Sequence, residues 1–192
     1  MSEDWKARWR EGRIGWHEPE GNAALKKFWP ALPVGSRVLV PLCGKSRDML
    51  WLANRGYDVT GVEFSPIACV DFFEDQDLEY VAHDAGEFDC FEGASLPIRI
   101  CCGDYFDFAG ESFDALYDRG SLVTFPEGER DNYVAHTQSL MKEDARQLLL
   151  TLEYDQSAVN GPPWSVPRED VQRFWPNLVE VSSRNDIDDC PP

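Results

Sequence analysis

The residues in this sequence that could bind a ligand or take part in a reaction follow four short apolar segments. Each segment ends in a turn that contains glycine or a charged side chain. In chain order these turn residues are Gly44, Glu63, Gly103 with Asp104, and Asp118 with Arg119. Backbone N–H groups at a glycine turn that opens a helix suit an anionic or polar ligand group. A carboxylate about 20 residues further on can accept hydrogen bonds from both hydroxyls of a ribose. The four turns together predict a nucleoside site in which Glu63 holds the ribose.

Two common phosphate-binding motifs are excluded at the first turn. Gly44-Lys45-Ser46 matches the end of a P-loop, but that motif requires glycine where Leu39 stands. Gly44 is also the only glycine of the turn, whereas a pyrophosphate needs the close backbone approach that several glycines allow. We therefore expect a smaller nucleoside ligand than a nucleoside triphosphate or a dinucleotide.

Strand-like and helix-like segments alternate along the chain, which would bring the four turns to one edge of a sheet. Apolar runs predict strands at 38–40, 59–62, 98–102, 113–117, 148–152 and 178–181, and helices are predicted after Ser46, from Pro66 and from about Arg130 to Met141. Most of these strands are apolar on consecutive positions, as is typical of strands covered on both faces. The prediction is a doubly wound α/β fold with a mostly parallel sheet and helices on both faces, forming a single domain over residues 1–192.

Aromatic residues are concentrated ahead of the first strand. Trp5 and Trp9 are four residues apart, so both rings lie on one face of a helix, and Trp16 follows with His17. One interpretation is a helix that packs over the sheet edge. The other is a helical lid, residues 1–30, that covers a ligand at the carboxyl ends of the strands, where doubly wound folds bind ligands.

The charge balance excludes several classes of partner. The chain has 18 Lys and Arg against 35 Asp and Glu, a formal net charge of −17, and would repel a nucleic acid or an anionic membrane. The acids are densest between Asp71 and Glu92, as is typical of a solvated face. The longest apolar runs of the chain are much shorter than the ~20 residues that cross a bilayer. We expect no nucleic-acid or membrane partner, and a monomer.

Cysteine and histidine spacing gives no support to a metal site. The six cysteines form no C-x-x-C pair, and the three histidines are far apart in sequence. Adjacent Cys101 and Cys102 also have an awkward geometry for a disulfide. Free thiols are typical of a reducing compartment, so we expect a cytoplasmic protein.

Several motifs make the sequence resemble the thiopurine S-methyltransferase family. They are Pro41-Leu42-Cys43-Gly44-Lys45-Ser46, Gly61-Val62-Glu63, Tyr117-Asp118-Arg119-Gly120-Ser121-Leu122 and Gly161-Pro162-Pro163-Trp164-Ser165-Val166-Pro167. Trp5-x-x-x-Trp9 and Gly15-Trp16-His17 resemble the lid of the family, in which Phe is usual at the position of Trp16. The resemblance follows the motif order over nearly the whole chain.

The resemblance implies a class I methyltransferase that moves a methyl group from S-adenosylmethionine to the sulfur of small aromatic or heterocyclic thiols such as thiopurines, leaving S-adenosylhomocysteine. Some bacterial members also methylate selenium or tellurium anions. By motif, the cofactor contacts would be Trp5, Trp9, Trp16, Leu42, Glu63, Gly103, Asp104 and Arg119, and the substrate contacts Trp16, Arg119 and Trp164. The candidate catalytic residues are Arg119, which would stabilise the incoming anion, and Asp118, for which a positioning role is favoured over that of a base.

The sequence departs from the family at its C-terminus. Family members continue past 178–181 to a final antiparallel strand, whereas this chain stops at Asp188-Asp189-Cys190-Pro191-Pro192. We expect that strand to be missing, in a natively short or a truncated chain, and one sheet edge to be unpaired. Two alternatives stay open: a halide methyltransferase, which shares the fold, and an inactive cofactor-fold module that binds a basic partner through its acidic surface.

Overall fold

The computed structural model describes residues 5–185, which form one seven-stranded sheet with helices on both faces. The helices are α1 (Trp5–Arg10), α2 (Ala23–Phe28), α3 (Asp48–Ala53), α4 (Pro66–Glu74), α5 (Glu127–Ser139) and α6 (Arg168–Phe174). The strands are β1 (Arg37–Pro41), β2 (Asp58–Glu63), β3 (Tyr80–Asp84), β4 (Asp89–Gly93), β5 (Ile98–Cys102), β6 (Phe113–Arg119) and β7 (Met141–Leu150). The sheet order is β3-β4-β5-β2-β1-β6-β7, and the pairs from β5 to β7 are parallel. The predicted doubly wound fold is confirmed.

The central strand β1 contributes to two cores because successive side chains of a strand point to opposite faces. Val38 and Val40 pack with residues of α2, α3 and α4 on one face. Leu39 packs on the other face with residues of α5 and α6. Both faces are thus covered, which explains why the strand is apolar at consecutive positions.

The predicted helices lie close to their expected positions. α4 begins with Pro66, and the side chain of Ser65 caps it by accepting a hydrogen bond from the Ala68 N–H. α5 begins three residues earlier than predicted, at Glu127, because extended Pro126 can already serve as its N-cap. It ends at Ser139, so Met141 belongs to β7.

The acidic segment contains a hairpin that the sequence analysis did not predict. β3 and β4 pair antiparallel, and β4 pairs antiparallel with β5. β4 buries Cys90 and Phe91, whereas most of β3 is exposed at the sheet edge. The hairpin was not predicted because its apolar residues are interspersed with acidic ones. The solvent exposure expected for this segment is found on β3.

The strand predicted at 178–181 is wrong. The Leu178 N–H donates to the Trp175 carbonyl and turns the chain, and Val179 and Val181 are 79% and 61% exposed. Without a neighbouring strand, β-branched residues alone do not make a sheet. Within residues 5–185 no strand follows β7, which forms one edge of the sheet, and the tail 188–192 lies outside the described residues.

No helix in residues 5–185 combines the length and apolar character needed to cross a membrane. The cysteines in the same part of the chain, Cys43, Cys69, Cys90, Cys101 and Cys102, are free and buried, and Cys190 lies outside it.

Candidate functional site

The four predicted turns meet at the carboxyl edge of the sheet because β5, β2, β1 and β6 are parallel neighbours. Hydrogen bonds join each turn to the next. The Cys43 N–H donates to the Val62 carbonyl (3.1 Å), and the Gly103 N–H donates to the Glu63 carbonyl (2.9 Å). The Ser121 hydroxyl donates to the Pro41 carbonyl (2.6 Å). We call this edge the rim.

Glu63 is the buried carboxylate of the rim, with 7% of its surface exposed. Its Oε2 accepts the Gly44 N–H and its Oε1 accepts the Ser65 N–H, both at 2.8 Å. Burial raises the pKa of Glu63, and the N–H donors at Ser65 and Gly44 oppose that shift. A carboxylate has about four acceptor positions, so the backbone donors leave room for a hydroxyl donor.

The first turn has an unusual backbone. Leu42 has φ of +45° and Gly44 has φ of +53°, a region that favours glycine and costs a leucine about 1–2 kcal/mol. A Cβ on Gly44 would lie 3.2 Å from the ring of Trp9. The turn is therefore shaped for close contact with an indole of the N-terminal segment.

The third turn receives an aromatic ring from the hairpin. A Cβ on Gly103 would lie 2.5 Å from the ring of Phe88, so only glycine fits beneath that ring. The Asp104 carboxylate caps the following 3₁₀ turn by accepting the Phe106 N–H at 3.0 Å. Phe88 was missed by the sequence analysis because it lies between two strands that were not predicted.

Three indoles form a cluster over the rim. The Trp5 and Trp16 rings are 5.3 Å apart at 83°, and the Trp9 and Trp16 rings are 6.0 Å apart at 81°. Both are edge-to-face contacts, the favourable geometry for aromatic pairs. Trp9 is 7% exposed and contacts Gly44, which joins the cluster to the first turn.

Arg119 connects the indole cluster to the end of β6. Its Nη2 donates to the Trp16 carbonyl at 2.9 Å and also pairs with the Glu18 carboxylate. Its side chain is 20% exposed, so this ion pair is partly shielded from solvent. The guanidinium thus links the N-terminal segment to the end of β6.

A second anchor holds the same segment through groups that the sequence analysis did not identify. Asn22 donates its backbone N–H to Asp48 (2.6 Å), and its side-chain amide donates to Glu18 (3.0 and 3.1 Å). Asp48, 1% exposed, also accepts the Tyr117 hydroxyl at 2.8 Å. Asn22 caps α2, and that capping pattern is the signal by which it could have been found.

His17 lies among charged groups near this anchor. Burial lowers the pKa of His17, and the positive charge of Lys45 lowers it further. Lys45 itself pairs with Asp71 (3.1 Å) and Asp75 (2.7 Å) on α4 and just beyond its end. Both effects favour the uncharged form of His17 over the charged form.

Asp118 points into the core, away from the indole cluster. It is 0% exposed and accepts hydrogen bonds from the Tyr133 hydroxyl (2.7 Å) and from the N–H groups of Ser121 and Leu122 (both 3.2 Å). Burial raises the pKa of Asp118, and these donors oppose the shift. These hydrogen bonds hold the turn that follows Arg119, and we propose on that basis a positioning role for Asp118.

Replacing Asp118 by Asn tests that role. We expect the free energy of unfolding to fall by about 1–2 kcal/mol, because a charged acceptor of three donors becomes a neutral amide. We expect kcat to change by only a few fold. Thermal unfolding and steady-state kinetics on the same preparation check both expectations. Loss of kcat without loss of stability would instead identify Asp118 as a base.

Trp164 lies on a loop attached next to the β6 turn. Its backbone N–H donates to the Val123 carbonyl at 2.6 Å, and its ring packs against Gly161 so closely that a side chain there would clash. Arg130 secures the same loop by donating to the Ser165 carbonyl at 2.6 Å. Trp164 is thus held by the segment after β6 and by α5, whereas Trp5, Trp9 and Trp16 belong to the N-terminal segment.

Comparison with known sequences gives matches over the whole chain. The sequence model of the family described as Thiopurine S-methyltransferase (TPMT) matches residues 1–192. The chain is 43% identical over 194 residues to a thiopurine S-methyltransferase of Pseudomonas fluorescens (strain Pf0-1), covering 96% of this chain and 87% of that protein. It is 42% identical over 193 residues to a probable thiopurine S-methyltransferase of Yarrowia lipolytica (strain CLIB 122 / E 150), covering 97% of this chain and 89% of that protein.

Comparison with solved structures shows the same fold in other methyltransferases. The 1,6-didemethyltoxoflavin-N1-methyltransferase of Burkholderia thailandensis, bound to S-adenosylhomocysteine, has a TM-score of 0.58 at 20% identity, over 78% of this chain and 60% of that chain. A TehB-like SAM-dependent methyltransferase of Corynebacterium glutamicum has a TM-score of 0.54 at 19% identity, over 88% of this chain and 79% of that chain. The fold and the sequence matches agree, and the chain is an S-adenosylmethionine-dependent methyltransferase that belongs to the thiopurine S-methyltransferase family.

Proposed function

We propose that this enzyme transfers the methyl group of S-adenosylmethionine to the sulfur of small aromatic or heterocyclic thiols, thiopurines among them. The observation that carries the proposal is the buried Glu63 carboxylate beside the Gly44 turn, with Trp9 packed on that turn. The relatives named thiopurine S-methyltransferase, at 43% and 40% identity, support the substrate class.

The rim residues fit the parts of this cofactor. Glu63 is placed to accept hydrogen bonds from the ribose hydroxyls, and the Leu42–Gly44 turn, held to Glu63 through the Gly44 N–H, borders the same part of the site. The Gly103-Asp104 turn, flanked by the Phe88 ring, suits a flat adenine. When bound, S-adenosylmethionine supplies a methyl group on a positively charged sulfur.

The indole cluster would cover the reacting groups. Indole faces attract a cation, and Trp5, Trp9 and Trp16 meet at right angles above the rim. We propose that residues 1–30 act as the lid and that Trp16 and Trp164 also line the substrate side. Excluding water favours a reaction in which opposite charges neutralise each other.

Arg119 is placed to receive the anionic substrate. Its guanidinium stays at the rim and is partly exposed, so it can attract a thiolate while it anchors Trp16. Aromatic thiols are partly ionised near neutral pH, so positioning and charge stabilisation suffice without a strong base. Asp118 supports this arrangement from the core.

A methyl-transfer assay with four acceptors tests the proposal. We expect 6-mercaptopurine and thiophenol to be methylated, with S-adenosylhomocysteine formed in equal amount. Iodide as the preferred acceptor would favour a halide methyltransferase, and selenite would show an extension to selenium anions. Calorimetric titration with S-adenosylhomocysteine provides the control, since an inactive scaffold would show no heat of binding.

A further inference from the structure

The indole pair of Trp5 and Trp16 already holds a positive charge that belongs to the chain. The guanidinium carbon of Arg8 lies 5.2 Å from the centroid of the Trp5 ring and 5.7 Å from that of Trp16. Both distances fall within the ~6 Å over which a cation is attracted to an aromatic face. One guanidinium therefore lies within cation–π distance of both rings, which are nearly perpendicular to each other.

The cofactor brings a second positive charge to the same rings. S-adenosylmethionine carries a sulfonium, whereas its product S-adenosylhomocysteine carries an uncharged thioether. A sulfonium near this indole pair must either displace Arg8 or accept its repulsion at close range, and both cost free energy. The uncharged thioether meets neither cost.

We infer that Arg8 is a specificity-determining residue: it competes with the sulfonium for the Trp5–Trp16 pair and weakens binding of S-adenosylmethionine relative to S-adenosylhomocysteine. The inference rests on the proposed function, in which these indoles face the sulfonium. Because methyl transfer removes the positive charge, the competition acts on the reactant and is absent from the product. Arg8 thus raises the free energy of bound S-adenosylmethionine and leaves that of bound S-adenosylhomocysteine unchanged.

Titration calorimetry of the full chain with each of the two ligands tests this role. Arg8→Met removes the charge and keeps a long side chain. We expect the affinity for S-adenosylmethionine to rise about 3- to 10-fold, which is the size of one moderately shielded cation–π contact, and the affinity for S-adenosylhomocysteine to stay within about twofold. Arg8→Lys keeps the charge and is expected to bind both ligands as the unchanged chain does.

A matched control is available at the other end of the sheet. Arg55 follows the C-terminus of α3, and its guanidinium carbon lies 3.7 Å from the ring centroid of Trp51 within that helix. Arg55→Met makes the same change of charge and breaks the same kind of contact away from the rim. We expect it to leave the ratio of the two affinities unchanged.

The outcomes separate this inference from the proposed function. If Arg8→Met changes both affinities equally, or neither, the inference is wrong while the cofactor site stands. If the unchanged chain binds neither ligand, the proposed site is wrong and the role of Arg8 with it. Should Arg8→Met unfold, Arg8→Gln carries the same test, and thermal unfolding of every variant shows which preparations are folded.

Discussion

Replacing Glu63 by Ala is expected to weaken binding of S-adenosylhomocysteine by roughly 1–3 kcal/mol, or about 5- to 150-fold. The carboxylate accepts the N–H groups of Gly44 and Ser65 at 2.8 Å, and in the proposed complex it also accepts the ribose hydroxyls. Its loss would remove the ribose contact and leave two buried N–H groups unsatisfied. Calorimetric titration measures the change.

Asp58 supplies the control at the opposite end of β2. It is 52% exposed and lies 3.9 Å from Arg37, so Asp58→Ala removes the same charge from the same strand away from the rim. We expect little change in cofactor affinity. Equal affinity in the unchanged chain and Glu63→Ala would contradict the ribose assignment.

The pH dependence of binding gives a second readout for Glu63. Burial raises its pKa above the ordinary value of 4.5. As the pH falls through that raised pKa, the carboxylate is protonated, one acceptor becomes a donor, and affinity for S-adenosylhomocysteine should fall. For folding of the free chain the sign is opposite: the raised pKa contributes stability below the ordinary value and loses it as pH rises. In Glu63→Gln the acid loss of affinity should be absent.

Replacing Arg119 by Ala is expected to lower kcat/KM for a thiol acceptor about 100-fold or more. The change removes a positive charge from the rim, the hydrogen bond to the Trp16 carbonyl and the ion pair with Glu18. Loss of the anchor should raise KM, and loss of anion stabilisation should lower kcat. Arg119→Lys keeps the charge without the planar fork, so we expect an intermediate defect.

Arg47 provides the matched control for anchoring. It is exposed and donates to the Pro19 carbonyl at 3.1 Å, so it too binds the N-terminal segment, but at the surface. Arg47→Ala should keep kcat/KM within a few fold, because exposed polar contacts contribute little. Steady-state kinetics are measured for Arg119→Ala, Arg119→Lys and Arg47→Ala, and thermal unfolding shows that each variant is folded at the assay temperature. A small effect of Arg119→Ala would remove Arg119 from the proposed mechanism.

The sequence predicted the central strands and the turns at their ends because that information is local. A strand buried on both faces is apolar at successive positions, and the residues that follow it mark the carboxyl edge where parallel strands meet. The positions of Gly44, Glu63, Gly103 and Arg119 at one rim could therefore be stated in advance. The hairpin of β3 and β4 could not, since its apolar residues lie among acids and it is only partly buried.

Only the tertiary structure distinguished the roles of neighbouring residues on β6. Tyr117 bonds to Asp48 on one side of the sheet, whereas Asp118 bonds to Tyr133 on the other. Successive side chains of a strand point to opposite faces of the sheet. Which face each side chain occupies depends on the helices that pack on the two faces. Adjacent residues in the sequence thus have separate surroundings.

The amino-acid order by itself determined the type of fold, the family and the chemistry at the end of each strand, because these follow from local pattern and motif. The anchors of the N-terminal segment depended on the fold, since Arg119 and Glu18 are 101 residues apart and Tyr117 and Asp48 are 69 apart. So did the placement of the Arg8 guanidinium near the rings of both Trp5 and Trp16. Contacts of this kind form only after the sheet has brought distant segments together, and no local pattern records them.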